Sequence, residues 1–152
     1  MLTVENPKDL LDRQGEKLGQ SAWRTIGQAQ IDQYAGAIGE FHWIHVDPAR
    51  ASRESPTGTT IAHGFHSLSL LVPLLGEVLT IDKAARWLVY GVDRVRFPAP
   101  VPSGASIRLD AAIKDAVALP GDGVRVTIAC TLELTNSEKP AAVADFILAI
   151  FP

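Results

Sequence analysis

Residues 64–79 are apolar on nearly every side of a helix, and this stretch limits the possible folds more than any other. It reads Gly-Phe-His-Ser-Leu-Ser-Leu-Leu-Val-Pro-Leu-Leu-Gly-Glu-Val-Leu. A helix that is hydrophobic all round has to be buried by other elements. We therefore predict one helix over residues 64–79 that is buried on most sides, with a kink or a looser turn at Pro73.

After this helix the sequence changes to the two-residue period of β-strands. Apolar and polar residues alternate over residues 106–118 and 124–134, and the turn sequence Pro-Gly-Asp-Gly lies between them at 120–123. The same criteria predict strands over residues 87–97 and 141–151. One buried helix followed by an antiparallel meander predicts an α+β fold in which the sheet wraps around the helix.

The N-terminal part of the chain contains shorter elements. We predict a short helix around residues 7–14 and a strand over residues 21–25. Thr25 begins a capping-box pattern, which predicts an amphipathic helix that starts there and ends at Gly39. Residues 40–60 show little periodicity, and a long irregular stretch inside a compact domain is more often functional than not.

Length and composition exclude several classes of protein. The 152 residues, 47% of them hydrophobic, suit one domain over residues 1–152 with a substantial core. A formal net charge of −3 gives no sign of a nucleic-acid partner or an anionic membrane. The chain starts without a secretory signal, and its longest apolar stretch, residues 68–75, is too short to span a bilayer. We expect a cytoplasmic protein with neither nucleic-acid nor membrane partners.

The chain has a single cysteine, Cys130, which excludes an intramolecular disulfide and fits a reducing compartment. It occupies an apolar position in the alternating pattern of residues 124–134. We therefore predict a buried structural thiol rather than a reactive one.

All four histidines fall within one short window that also contains an acidic residue and a helix start. They are His42, His45, His63 and His66. Glu40 precedes the first pair, and Gly64 lies at the predicted start of the apolar helix. Carboxylate and imidazole groups are common proton-transfer groups, and free N–H groups at a helix start can bind a developing oxyanion. The window predicts an acid–base enzyme that acts on a carbonyl compound.

Three segments resemble the signatures of MaoC-like dehydratases, also called hydratase 2 or (R)-specific enoyl-CoA hydratases. Residues 34–48, Tyr-Ala-Gly-Ala-Ile-Gly-Glu-Phe-His-Trp-Ile-His-Val-Asp-Pro, are similar to the motif Gly-Asp-x-Asn-Pro-[aliphatic]-His. Residues 61–65, Ile-Ala-His-Gly-Phe, resemble the start of that family's central helix. Residues 95–101, Val-Arg-Phe-Pro-Ala-Pro-Val, resemble its Arg-Phe-x-x-Pro-Val strand. Their order and spacing agree with the family over most of the chain.

The resemblance implies a hotdog fold, in which an antiparallel sheet wraps around a central helix. It also implies a homodimer with active sites near the subunit interface, and no cofactor or metal. The implied reaction is reversible hydration of trans-2-enoyl-CoA to (R)-3-hydroxyacyl-CoA. An acyl-carrier-protein thioester is an equally open form of the substrate, and the acyl chain length is not readable.

The resemblance assigns roles to residues of both histidine clusters. Glu40 stands where the family has aspartate, and together with His45 it would hold the reacting water. We favour His45 as the base and Glu40 as the group that serves C2, and the N–H of Gly64 would bind the thioester oxygen. The substrate-binding candidates are His42, His63 and Phe65. Of these, His42 takes the place of the family's asparagine, and His63 is also expected to brace the loop or the helix start.

Other functions are also compatible with these residues. Glu40 in place of aspartate leaves open a weakly active or non-catalytic module that binds acyl thioesters. A hotdog thioesterase is a further alternative, although residues 64–76 lack the acid that many such enzymes carry there. His42-x-x-His45 and His63-x-x-His66 have a spacing seen in zinc sites. We expect no metal, because the first pair lies in a loop and no cysteine joins the set.

Overall fold

Eight strands and five α-helices form the fold, and the computed structural model describes all residues from 1 to 152. In chain order, the elements are β1 (Leu2–Val4), a 3-10 helix (Pro7–Leu10), β2 (Lys17–Gln20), β3 (Arg24–Thr25), α1 (Gln28–Ile38), α2 (Trp43–Val46), α3 (Pro48–Glu54), α4 (Gly64–Ser69), α5 (Leu71–Leu75), β4 (Leu79–Ile81), β5 (Arg86–Arg96), β6 (Ser106–Ala118), β7 (Val124–Leu134) and β8 (Ala142–Phe151).

The main sheet is antiparallel throughout. Its strand order is β2-β6-β7-β8-β5, and β3 also pairs with β6. Strand β5 pairs only with β8 and is therefore an edge of the sheet. The predicted α+β class is confirmed. A separate parallel pair, β1 with β4, was not predicted.

Alternation of side chains explains the pairing of the two longest neighbouring strands. Every second residue of β7 is buried, from Val124 to Leu134, and β6 alternates in the same way over its first half. Leu109 lies opposite Leu132, so the apolar faces of both strands point into the core. A shift by one residue would expose all of them, and the register is therefore strongly specified.

The predicted bounds of these two strands are confirmed, and those of the other two long strands differ by one residue at one or both ends. Strand β5 begins and ends one residue earlier than predicted, and β8 begins one residue later. Alternation over ten or more residues is a local signal, so these strands could be located before any packing was known.

The central helix differs from the prediction of one helix over residues 64–79. It breaks at Leu70, continues as α5, and ends at Leu75, and residues 79–81 form β4 instead. Proline is tolerated in a first helical turn because the N–H groups there need no intrahelical partner. The break places Pro73 in the first turn of α5.

The central helix is also not buried on all sides. Leu68, Leu71 and Leu74 pack into a core of 29 buried residues, whereas Phe65 and Val72 are more than half exposed. The prediction of a helix buried on most sides is therefore confirmed for all but the face that carries Phe65 and Val72. One apolar face of the helix is free to contact another molecule.

The start of α1 is a second correction. The helix begins at Gln28, with Gly27 as its N-cap, rather than at Thr25. Thr25 belongs to β3, where its hydroxyl lies 2.9 Å from that of Ser106. Strand pairing with β6 therefore outweighs the capping pattern. The predicted end at Gly39 is confirmed, since this residue is the C-cap with a φ of 74°.

Residues 40–60 are more regular than predicted, because they contain the short helices α2 and α3. Asp47 caps α3 through a side-chain oxygen that accepts a hydrogen bond from the backbone N–H of Arg50 at 2.9 Å. Two N-terminal predictions were too long: the helix over residues 7–14 is a 3-10 helix of four residues, and only Arg24–Thr25 of the predicted strand over residues 21–25 forms a strand.

Cys130 is buried in β7, as predicted, and burial raises the pKa of its thiol to about 12. The longest helix has only 11 residues, and none has the length and apolar character required to cross a membrane.

Candidate active site

Glu40 is positioned by the end of helix α1. Gly39 adopts a left-handed conformation that turns the chain away from the helix axis, which glycine does without a steric cost. The Oε1 atom of Glu40 then accepts a hydrogen bond of 2.7 Å from the backbone N–H of His42. This bond is the main cause that lowers the pKa of Glu40 below its usual value. Glu40 is therefore an ionised carboxylate at neutral pH.

His45 lies on α2, and its orientation is set by a backbone carbonyl from another segment. Its Nδ1 atom lies 2.7 Å from the carbonyl oxygen of Ile61. Because a carbonyl can only accept, Nδ1 carries the hydrogen and Nε2 carries the lone pair. That Nε2 atom lies 3.4 Å from Oε2 of Glu40. Burial lowers the pKa of His45, although the bond to Ile61 acts in the opposite direction, so the ring is neutral at neutral pH.

His63 approaches the same carboxylate from the residue before α4. Its Nε2 atom lies 3.0 Å from Oε2 of Glu40, and only 6% of the residue is exposed. Its ring stacks on that of His45 at 3.7 Å between centroids, and Tyr34 packs against it at 5.3 Å. The structure thus brings Glu40, His45 and His63 together at one point.

A cavity of about 310 Å³ lies beside His45 and Gly64. Its other lining residues are Ile61, Ala62, Ser67, Phe97, Ala99, Pro100, Val101 and Ala141. The N–H of Gly64, the first residue of α4, donates to no backbone carbonyl. A Cβ atom at position 64 would lie 3.2 Å from the ring of Phe97, so the glycine also permits close packing here. The cavity combines a mostly apolar wall with an imidazole and a free N–H donor.

None of the three predicted substrate-binding residues, His42, His63 and Phe65, lines this cavity. The side chain of His42 is exposed and tilts against Trp43, and only its backbone N–H reaches Glu40. Phe65 is 68% exposed and borders a different cavity, of about 290 Å³, together with Tyr34. His66 also stays outside the carboxylate cluster, because it is buried against the Tyr34 ring at 4.8 Å.

The structure adds three groups that the sequence did not assign to the site. Tyr34 lies within the helical pattern of α1, and Phe97 lies within a matched segment, so each had a sequence signal that was not used. The carbonyl of Ile61 had no such signal in the sequence, since every residue type supplies a backbone carbonyl. It nevertheless determines which nitrogen of His45 carries a lone pair.

The cluster does not fit a metal ion well in this arrangement. The nearest ligand atoms of Glu40, His45 and His63 all lie within 4.8 Å of one another. However, the two imidazole rings are stacked with only 22° between their planes. A bound zinc ion lies about 2.0–2.1 Å from each ligand nitrogen, along a lone pair in the ring plane. Stacked rings direct these lone pairs side by side rather than toward one point.

Comparisons with known proteins identify the family of the chain. Residues 9–136 match the family model described as MaoC like domain. The chain is 43% identical over 148 residues to 3-hydroxyacyl-thioester dehydratase Z of Mycobacterium tuberculosis, and the match covers 97% of each protein.

Two solved structures of hydratases have a similar fold. An R-hydratase from Pseudomonas aeruginosa, in its unliganded form, superposes with a TM-score of 0.71 at 20% identity, covering 97% of this chain and 86% of that one. An (R)-hydratase from A. caviae gives a TM-score of 0.69 at 22% identity, covering 91% of this chain and 96% of that one.

Proposed function

Because the chain belongs to the MaoC-like dehydratase family and has the hotdog fold, we propose that this hydro-lyase is an (R)-specific enoyl-CoA hydratase. It would add water reversibly to trans-2-enoyl-CoA and give (R)-3-hydroxyacyl-CoA. The relative named as a 3-hydroxyacyl-thioester dehydratase supports an acyl thioester as substrate. The proposal depends most on one observation: Nε2 of His45 lies 3.4 Å from Oε2 of Glu40.

Two acceptor atoms at this separation can hold one water molecule between them. A water about 2.8 Å from each atom would form a triangle with them, within ordinary hydrogen-bond geometry. The ionised carboxylate of Glu40 and the Nε2 lone pair of His45 would each accept one of its O–H bonds. The lone pairs of the water oxygen would then be free to attack C3 of the enoyl chain.

Hydration requires the movement of only one proton. As the water oxygen bonds to C3, one of its protons stays on the new hydroxyl group and the other passes to Nε2 of His45. The double bond between C2 and C3 breaks, and its electrons form an enolate with the thioester carbonyl. The proton then reaches C2 through Glu40, whose Oε2 lies 3.4 Å from Nε2. Because the resting Glu40 is ionised, the proton it delivers has to come from the water.

The enolate oxygen would be stabilised by the N–H of Gly64. This donor is free of backbone partners and belongs to the cavity that also contains His45. A donor of this kind is typically worth about 10²–10³-fold in rate. The volume of about 310 Å³ lies at the lower limit for ligand pockets, so the cavity can take the thioester and the adjacent part of an acyl chain.

We further propose that the enzyme is a homodimer. Trp87, Leu88, Val89 and Tyr90 are all exposed on the edge strand β5, and the exposed face of the central helix lies next to it. A long hydrophobic edge strand is an aggregation hazard unless another chain covers it. A second copy that covers β5 and this helix face would bury both.

The direct test is hydration of crotonyl-CoA, followed by the loss of the enoyl absorbance and by chiral analysis of the 3-hydroxy product. We expect the wild type to form the (R) product and the variant His45→Ala to lose at least about 100-fold in kcat, since general acid–base catalysis contributes about 10²–10⁴-fold. A wild type without turnover, or a loss under about tenfold, would contradict the assigned roles. Release of free CoA from a saturated acyl-CoA would instead identify a thioesterase.

A further inference from the structure

Each oxygen of the Glu40 carboxylate lies beside a nitrogen that can donate a hydrogen bond. Oε1 accepts from the backbone N–H of His42 at 2.7 Å, and Oε2 lies 3.0 Å from Nε2 of His63. The side chain of Glu40 is otherwise 45% exposed, so few packing contacts restrict its three rotatable bonds. The two donors therefore determine where this carboxylate lies.

His45 and His63 must carry their hydrogens on opposite nitrogens to satisfy these contacts. His45 donates from Nδ1 to the carbonyl of Ile61 and presents a lone pair at Nε2. Nε2 of His63 lies 3.0 Å from Oε2 of Glu40 and 3.4 Å from the backbone carbonyl oxygen of the same residue. Both oxygens accept and do not donate, so His63 can bind them only by donating from Nε2. Its Nδ1 is buried without a partner, and a hydrogen there would find no acceptor.

We propose that His63 is a positioning residue that holds the carboxylate of Glu40 in place as the Nε2–H tautomer. This inference rests on the proposed hydratase function. The side chain of glutamate has more freedom than that of aspartate, and the bond from His63 removes that freedom at Oε2. With both carboxylate oxygens held, Glu40 lies beside the lone pair of His45 rather than swinging into solvent. His63 therefore acts on the reaction through Glu40 and not on the substrate.

The surroundings of the two rings separate the role of His63 from that of His45. His45 borders the cavity of about 310 Å³, whereas His63 does not line it. His63 is instead enclosed between the rings of His45 and Tyr34. A base must reach the water or the substrate, and only His45 has that access.

Nitrogen NMR tests the tautomers without any need for activity. In ¹⁵N-labelled protein at about pH 8, where ordinary histidines are neutral, we expect the Nε2–H pattern for His63 and the Nδ1–H pattern for His45. Single histidine variants assign the four rings. The variant Glu40→Ala should change the nitrogen shifts of His63, because its carboxylate acceptor is removed and only the more distant backbone carbonyl of residue 40 remains. An Nδ1–H tautomer of His63 in the wild type would overturn the proposal.

Kinetics of hydration test the effect on the reaction. We expect His63→Ala to lower kcat by about 10–100-fold, the range expected for a carboxylate misplaced by about 1 Å, with little change in KM. His63→Gln should recover most of this loss, since its amide N–H can still donate to Glu40. The matched control is His66→Gln, because His66 is equally buried and close in the chain but does not contact Glu40.

A double variant separates positioning from a general structural role. If His63 acts through Glu40, His63→Ala should cost less than about twofold in a Glu40→Ala background, because residues that act as a unit are not additive. Retention of the full cost in that background would overturn the proposal, as would a loss in His66→Gln as large as that in His63→Ala. A wild type without hydratase turnover would refute the proposed function, and the tautomers measured by NMR would still decide the role of His63.

Discussion

The imidazole rings of His45 and His63 stack face to face, with their centroids 3.7 Å apart and their planes 22° apart. The two rings come from separate segments, α2 and the residue that precedes α4. Both present Nε2 to the same oxygen of Glu40, at 3.4 Å and 3.0 Å. Neither ring can rotate without disturbing the other, and the proposed proton-transfer site is therefore organised before substrate binds.

Shortening the carboxylate side chain should weaken the enzyme. Glu40→Asp withdraws the carboxylate by about 1 Å or more, so it can no longer reach the N–H of His42 and Nε2 of His63 together. We expect kcat for crotonyl-CoA hydration to fall by about 10–100-fold. The control is Glu54→Asp, which shortens another part-exposed glutamate that pairs with Arg50 on α3. A marked gain in rate would instead indicate that Glu40 is a degraded form of an aspartate site.

The pH profile should have an acid limb that belongs to His45. Protonation of His45 occupies the Nε2 lone pair, so kcat/KM should fall as the pH decreases through its pKa. Because burial lowers this pKa, the inflection should lie below 6.5. The pKa of Glu40 is lowered from 4.5, so Glu40 remains ionised over this range. The activity that remains in His45→Ala should not show this decrease of kcat/KM at acid pH. An inflection above neutral pH in the wild type would contradict the assignment to His45.

A methyl group at position 64 should disturb the cavity through Phe97. The new Cβ of Gly64→Ala would lie 3.2 Å from the Phe97 ring, which is tighter than most contacts allow, so the ring or the helix start must move. We expect kcat/KM for crotonyl-CoA to fall by about tenfold or more, since a shifted N–H no longer faces the developing oxyanion. Relief by Phe97→Ala in the double variant would identify crowding as the cause, and an unchanged rate for Gly64→Ala would argue against a role for this N–H.

A charge on the sheet edge should prevent dimer formation. Leu88 is 52% exposed on β5, and Leu88→Lys would place a charge in the proposed interface. We expect light scattering after gel filtration to show two chains for the wild type and one for the variant. Val117→Lys, at an exposed apolar position of β6 away from that edge, should remain a dimer. A monomeric wild type would refute the proposed homodimer.

The long strands were predictable because their signal is local. Alternation alone located β6 and β7 to the residue, and a glycine that can adopt a positive φ marked the end of α1 at Gly39. Elements that depend on partners far along the chain were missed or misplaced. Strand β4 exists because Leu79–Ile81 pairs with β1, and the capping pattern at Thr25 yields to pairing with β6.

The residue types at the site were evident in the sequence, where Glu40, His45 and Gly64 occur at spacings that suit acid–base chemistry. The tertiary structure alone decided how they meet: His63 Nε2 lies 3.0 Å from the Glu40 carboxylate, the Ile61 carbonyl selects the tautomer of His45, and Phe65 borders a different cavity. The physical reason is the distance along the chain over which each interaction acts. Periodicity and turn preferences act between neighbours in the chain, whereas hydrogen bonds across α2, α4 and the loop before α4 depend on a packing that no short stretch of sequence contains.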